Sequence, residues 1–299
     1  MKIFAVSAVL GMALLCIGCS KTNLPPVPSI GIANQCSDMA PWGFPFGNFD
    51  ISAYGGHIYI SEDTIGFICR PGLYAMGYDR SLRIPRWVLE TVAHEKWMGP
   101  PQPVHHDWRP DPLVPLGDRV TVSDYDPKIT GGLLAVYSMA SYKNVRANEV
   151  AISRTFYLSN TAPAIRGKLS PSTWAQLEDQ VIVWSRRHPR MIVISGPVYL
   201  GGMTLGWAGK QISKDHGTDK NGTIAVPTHF YKVLLDTQTF SAIGFLVPND
   251  GGSVALSRQI VKNIPEIEND TGLIFFPGLT PEQSGVVMAP ASGSDWPLE

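Results

Sequence analysis

The spacing of apolar and polar positions divides the chain into recognisable elements. GFICRPGLYAMGYD predicts two strands about a turn at Pro71-Gly72. Behind Ile84-Pro85, RWVLETVAHEK predicts a helix with Pro85 near its first turn. Behind Pro171, STWAQLEDQVIVWSRR predicts a second helix, because Trp174, Leu177, Val181 and Trp184 recur at helical spacing and so face a core. MIVISGPVYL, AVPTHFYKVLLD and FSAIGFLVPN carry the β-branched and aromatic enrichment of strands. IPEIEND predicts a short helix and GLIFFPGL a last buried strand. Residues 36–63 and the Pro-rich stretch 99–116 read as irregular, the latter lying on the surface. With no internal repeat and no linker between Cys69 and Leu279, the pattern describes one α+β domain.

The first residues differ. An apolar run from Ile3 to Ile17 follows a single early Lys2, too short for a comfortable membrane span and suited to an export signal. Its end, Cys16-Ile17-Gly18-Cys19, resembles a bacterial lipobox, in which the last cysteine is lipidated. An ordinary cleaved signal is the alternative. The expected division is a signal over 1–18, a lipidated Pro-rich tether over 19–35, the domain over 36–280 and a C-terminal tail over 281–299. A lipidated Cys19 would place the protein in a bacterial cell envelope, held to a membrane by its anchor. Cys36 and Cys69 remain in a compartment that permits disulfides, and they are expected to pair rather than stay as buried thiols.

Composition limits the partners. The chain has 299 residues, 44% apolar and 16% charged, which suits a folded globular protein. Its formal net charge of -1 supplies no overall pull on a polyanion, so nucleic-acid binding would need a local basic patch. Arg80, Arg83 and Arg86, and Arg186, Arg187 and Arg190, could form such patches. Solvated surface charge is the simpler reading of both.

YAMGYDRSLRIPRWVLETV, DWRPDPLVP, DYDPKITGG, TFYLSNTAP, WAQLE, VISGPVYL, IAVPTHFYKVLLD and TGLIFFPGL occur in that order between Cys69 and Leu279. Together they resemble the DNA/RNA non-specific endonucleases. The resemblance implies a ββα-metal nuclease fold, a central antiparallel sheet flanked by helices, with a finger carrying the active site. It further implies an Asp-Arg-Gly-His motif whose histidine is general base, an asparagine holding one divalent metal such as Mg²⁺, and a glutamate orienting the metal's waters. Water is a poor nucleophile at neutral pH until a positioned base takes its proton, and the phosphate's developing charge needs a nearby cation.

DYDPKITGGLLAVYSMA, residues 124–140, does not supply this motif. Setting Gly132-Leu133-Leu134-Ala135 on Gly-His-Leu-Ala puts Leu133 at the base, and no histidine lies between His106 and His188. Setting Trp174 and Glu178 on the family's Trp and Glu puts Ser170 at the metal-binding asparagine, where a hydroxyl is a weaker ligand for a hard cation than a carbonyl oxygen. Only Glu178 survives, either as a residue still contacting bound water or as part of the helix's solvated flank. The stretch from Leu134 to Thr155 is longer than the family implies, so the finger helix is expected to be rebuilt. Each replacement also has a structural account. Gly131-Gly132 suits a hairpin turn with positive φ, and Ser170-Pro171 suits a helix N-cap followed by proline. His229 shares a strand face with Tyr231 and Val233.

Two functions follow. One is a degenerate nuclease, exported and anchored, that binds DNA, RNA or a protein partner. The other is an active phosphodiesterase with a relocated base, His106 or a residue between Lys143 and Glu149. Adjacent His105 and His106 point to opposite sides of an extended segment, which disfavours a shared metal. The resemblance also implies that the chain could form a homodimer.

Overall fold

Side chains alternate across the long strands, and in most of them both sets are apolar, so a central sheet is buried on two faces. The computed structural model describes residues 35–47, 65–97, 100–126, 132, 134–167, 172–202, 206–208, 224–251 and 256–298. Strands β1 (Ile65–Arg70), β2 (Tyr74–Asp79) and β3 (Ile84–Ala93) come first, then β4 (Leu134–Ser138), helix α1 (Glu149–Thr155) and β5 (Thr161–Ile165). Helix α2 (Thr173–Trp184) leads to β6 (Arg190–Val198), β7 (Gly206–Ala208), β8 (Ile224–Val226), β9 (His229–Asp236) and β10 (Ala242–Pro248). β11 (Val261–Lys262) and helices α3 (Ile264–Thr271) and α4 (Pro281–Val287) end the chain. Seven strands form one antiparallel sheet in the order β1-β2-β3-β6-β9-β10-β11, and β4-β5 and β7-β8 form two small pairs.

On one face Val88, Val92, Val193, Phe230, Leu234 and Phe245 pack with Trp174, Leu177, Val181 and Trp184 of α2. On the other, Trp87, Leu89, Ile192, Ile194, Tyr231 and Val233 pack with Cys36, Met39, Ile264, Ile267 and Phe275. Close approach of β6 to its neighbours requires Gly196: a Cβ there would lie 2.3 Å from Arg86 O and 2.7 Å from a Tyr231 ring carbon. This α+β architecture is the expected fold class, and the paired strands about Pro71-Gly72 and the helix at 264–271 lie where the spacing puts them.

Four local expectations change. RWVLETVAHEK is not a helix but most of β3 plus a short 3₁₀ turn, His94–Trp97. Its helix-like pattern arises because a strand buried on both faces reads as a nearly continuous apolar run, and pairing with both β2 and β6 overrides the local preference. GLIFFPGL is buried at Leu273, Phe275 and Phe276 but makes only a bridge, Phe46 to Ile274; left-handed Phe276, φ 55°, bends the backbone away from extended pairing. The N-cap of α2 is Ser172, whose hydroxyl accepts from Ala175 N, so the cap is not Ser170. Gly132 has the expected positive φ of 72°, but β4 after it pairs with β5 across α1 rather than in a tight hairpin.

Both ends brace the sheet. Cys36 and Cys69 are joined through their sulfurs, 33 residues apart in sequence. The 281–299 segment, expected as a tail, packs onto the domain. Trp296 is fully buried, stacks on His188 at 4.0 Å and donates to Ser241 Oγ at 2.9 Å. Trp184 and Gln180 both donate to the carbonyl of Pro297.

Trp296→Ala is expected to cost about 3–5 kcal/mol in a denaturant titration, as for other large aromatic truncations in cores; a loss under 1 kcal/mol would mean the terminal segment is not docked in solution. Replacing Cys36 and Cys69 together by serine should cost about 3–4 kcal/mol, because the bridge restricts a long loop in the unfolded chain. Protein beginning at Lys21, unfolded without reductant, should present no titratable thiol.

Candidate functional site

Strand periodicity places three polar side chains among the apolar ones on the α2 side of the sheet. In β3, Val88, Glu90 and Val92 share that face; in β6, Val193 and Ser195; in β9, Phe230, Lys232 and Leu234. Register sets Ser195 opposite Lys232 and also opposite Val88, two residues from Glu90. Glu90, Ser195 and Lys232 are all buried. Lys232 Nζ donates to Ser195 Oγ at 2.6 Å and sits 4.3 Å from the Trp174 ring centroid, so α2 covers it with an aromatic face.

The segment from Ser138 to Arg146 closes this pocket from the side. Asn160 pins it: its Oδ1 accepts from Ala140 N at 2.9 Å, and its Nδ2 donates to Ala140 O and Thr155 O. Trp174 Nε1 donates to Ser138 O at 3.1 Å. Ser141 caps the 3₁₀ turn Tyr142–Val145, its hydroxyl accepting from Lys143 N. Asn144 is buried in the same turn, on the side of Glu90. Lys143 reaches α2, 2.5 Å from Asp179 Oδ1 and 3.4 Å from Ala175 O.

Burial governs the protonation of this cluster. It pushes the Glu90 carboxyl up to about 7, against the charge of Lys232 and the bonds from Asn144 and Ser141, while the charge of Glu178 adds to the rise. It lowers Lys232, opposed by Glu90 and then Glu178. It raises Glu178, opposed by Lys232, then Lys143 and the Ser141 hydroxyl. Glu178 is thus a part-exposed carboxyl on α2 that lies in the field of two lysines.

The other expected site residues separate from it. Leu133, Ser170 and Cys19 lie outside the described residues. From the finger, the residues brought to α2 and Glu178 are Ser138 to Lys143, which offer hydroxyls and an ammonium. His106 is exposed, its ring against Phe156 at 5.1 Å and Tyr142 at 6.0 Å, and it is not among the groups acting on Glu178. Arg109 is held by Ser153 and Asp107 and stacks on Tyr157, whose ring Arg70 also contacts. Arg80 and Arg83 pair with Asp118 and Asp124, and Arg86 donates to Thr271 O, so this cluster is structural rather than a phosphate patch. Arg186, Arg187 and Arg190 are exposed at the end of α2 and the start of β6. His229 is half-buried on β9, as expected. His188 is buried, Nδ1 2.8 Å from Asp236 Oδ2, far in role from a general base.

Glu90, Lys232, Ser195 and Ser141 escaped sequence reasoning, which had Lys143 and Asn144 only within the segment offered for a relocated base. The signal was a single charged residue inside an apolar strand, Glu90 in WVLETV and Lys232 in HFYKVLL, but only strand pairing shows that they meet. Among the described residues the donor set does not fit a divalent ion. Glu178 faces two ammonium groups, and among the described residues no group of three or more His, Cys, Asp or Glu side chains converges.

A family model described as DNA/RNA non-specific endonuclease matches residues 60–282. Human mitochondrial nuclease EXOG is 31% identical over 215 residues, which cover 69% of this chain and 56% of that protein. Human mitochondrial endonuclease G is 31% identical over 226 residues, 74% of this chain and 73% of that one. A crystal structure of an EndoG/EndoGI complex superposes with a TM-score of 0.61 at 22% identity, covering 83% of this chain and 93% of that one, and so shares the ββα-metal nuclease fold.

Between the ordinary carboxyl value of 4.5 and about 7, folded Glu90 keeps a proton that the unfolded chain has released, so its contribution to stability falls as pH rises through that window. Glu90→Gln lacks this term. Its denaturation midpoint relative to wild type should rise between pH 4.5 and pH 7.5, and a flat difference would exclude the assignment. Lys232→Met should cost about 3–5 kcal/mol at pH 8, since it leaves buried carboxylates uncompensated, and less at pH 5.

Proposed function

We propose, from the premise that the chain belongs to the DNA/RNA non-specific endonuclease family, that it is a catalytically degenerate, exported member. In this reading the nuclease fold is kept as a binding scaffold for nucleic acid or a protein partner. Lipidation at Cys19 would anchor it in a bacterial envelope through the tether ending near residue 35. The relatives named above are nucleases, and members of this family are typically divalent-metal dependent.

One observation carries the reading. Glu178, the surviving acid of the implied site, faces the charges of Lys232 and Lys143, the latter paired with its neighbour Asp179, and the segment brought to α2 carries hydroxyls rather than a histidine. A carboxylate so engaged is poorly placed to orient metal-bound water, and loss of a general base alone costs on the order of 10² to 10⁴ in rate. The chain's residues would instead hold the finger and helix α2 in place. The exposed Arg186, Arg187 and Arg190 supply the positive charge that a phosphate backbone would meet.

The test is cleavage of supercoiled DNA and of RNA by highly purified protein in Mg²⁺, Mn²⁺ and EDTA, beside a Leu133→His, Ser170→Asn double variant and a Ser138→His variant. No cleavage by folded wild type is expected. Metal-dependent cleavage that drops when His106→Ala is introduced would overturn the reading in favour of a relocated base. Retention on DNA that weakens steeply between 50 and 200 mM salt would identify nucleic acid as the ligand class, and salt-insensitive behaviour would favour a protein partner. Cys19→Ser should move the protein from the membrane to the soluble fraction.

A further inference from the structure

Lys143 has no part in the chemistry that the family implies, yet it occupies a specific place. It lies in the 3₁₀ turn Tyr142–Val145, on the segment longer than the family implies, and its side chain is only 20% exposed. Its ammonium contacts Asp179 Oδ1 at 2.5 Å and the Ala175 carbonyl at 3.4 Å, so it is pressed onto the turn of α2 that carries Glu178. Ala175 and Glu178 lie one turn apart on α2, so an ammonium that reaches the Ala175 carbonyl stands on the Glu178 side of the helix, while Lys232 lies in the sheet beneath. Asn160 and Ser141 fix the segment from which it projects.

We propose that Lys143 is a built-in cation standing at Glu178 where the family's reaction calls for a divalent metal, so that the site is charge-balanced by the chain itself and binds no metal. The proposal builds on the reading that metal-assisted hydrolysis has been lost. Its basis is the charge arrangement. Glu178 and Asp179 are matched by Lys143 and Lys232, and Glu90 faces Lys232 from β3. A divalent ion entering beside Glu178 would meet two ammonium groups before it met a second free carboxylate, and like charges at such range repel strongly in a partly buried site. A lysine suits the role, since its long stem carries a compact charge from the 3₁₀ turn to the helix surface.

Binding of Mn²⁺ to the full chain, followed by the paramagnetic resonance signal of the free ion, tests this without reference to cleavage. Wild type and Lys143→Arg should show no site of millimolar or tighter affinity that depends on Glu178. Lys143→Ala and Lys143→Met should each gain one Mn²⁺ equivalent, at least tenfold tighter than any wild-type binding, and lose it again when Glu178→Gln is added. Two substitutions are used so that a fold defect in one, visible by thermal unfolding, does not decide the outcome. Wild-type binding of one Mn²⁺ that Glu178→Gln abolishes would overturn the proposal, as would Lys143→Ala and Lys143→Met variants binding no better than wild type. The two readings fail separately. Mn²⁺ binding at Glu178 without cleavage sinks the built-in cation and leaves the scaffold reading, whereas cleavage in EDTA with no bound Mn²⁺ supports the built-in cation and sinks the scaffold.

Discussion

A lysine buried in the middle of an antiparallel sheet constrains everything around it. Lys232 is 1% exposed, and an ammonium cannot stay charged in such a place without compensation. Ser195 on the neighbouring strand accepts a hydrogen bond from it, Trp174 covers it, and Glu90 and Glu178 supply opposite charge from β3 and α2. Four separate elements must therefore be in register at one point, which fixes how α2 lies on the sheet. The segment beside it is held down separately, by Asn160 bonded to Ala140 and by Trp174 bonded to the Ser138 carbonyl.

Such a network is weak evidence for stability as such, since well-packed apolar residues often do as well. Its effect is on specificity of arrangement: β9 slipped by one residue would turn Lys232 to the opposite face, among Cys36, Met39 and Ile267. Stability comes from the two apolar layers on either side of the sheet and from the ends of the chain. The Cys36–Cys69 link ties the N-terminal segment to β1, at the edge of the sheet. At the other end Trp296 fills the space between α2 and the β9–β10 turn, with its ring on His188 and its indole N–H on Ser241.

The fold and the chemistry that the family implies rest on different requirements. Hydrolysis needs a base, a cation and room for water, whereas the cluster about Glu178 has hydroxyls, ammonium groups and burial. The sheet, α2 and the segment pinned by Asn160 depend on packing and strand register, neither of which requires an active site.

Residue pattern alone determined the α+β class, the strands flanking Pro71-Gly72, the core-facing stripe of α2 from Trp174 to Trp184, and the family, because periodicity and motif order are local properties of the chain. It also determined that no imidazole lies between His106 and His188. It misjudged RWVLETVAHEK, since a strand with both faces buried has no polar alternation to distinguish it from a helix, and it placed the cap of α2 two residues early. It did not reveal that Glu90, Ser195, Lys232, Glu178 and Lys143 form one cluster. These residues lie up to 142 positions apart, and their meeting depends on strand register, the seat of α2 and the path of the finger, which are fixed only when the whole sheet is assembled.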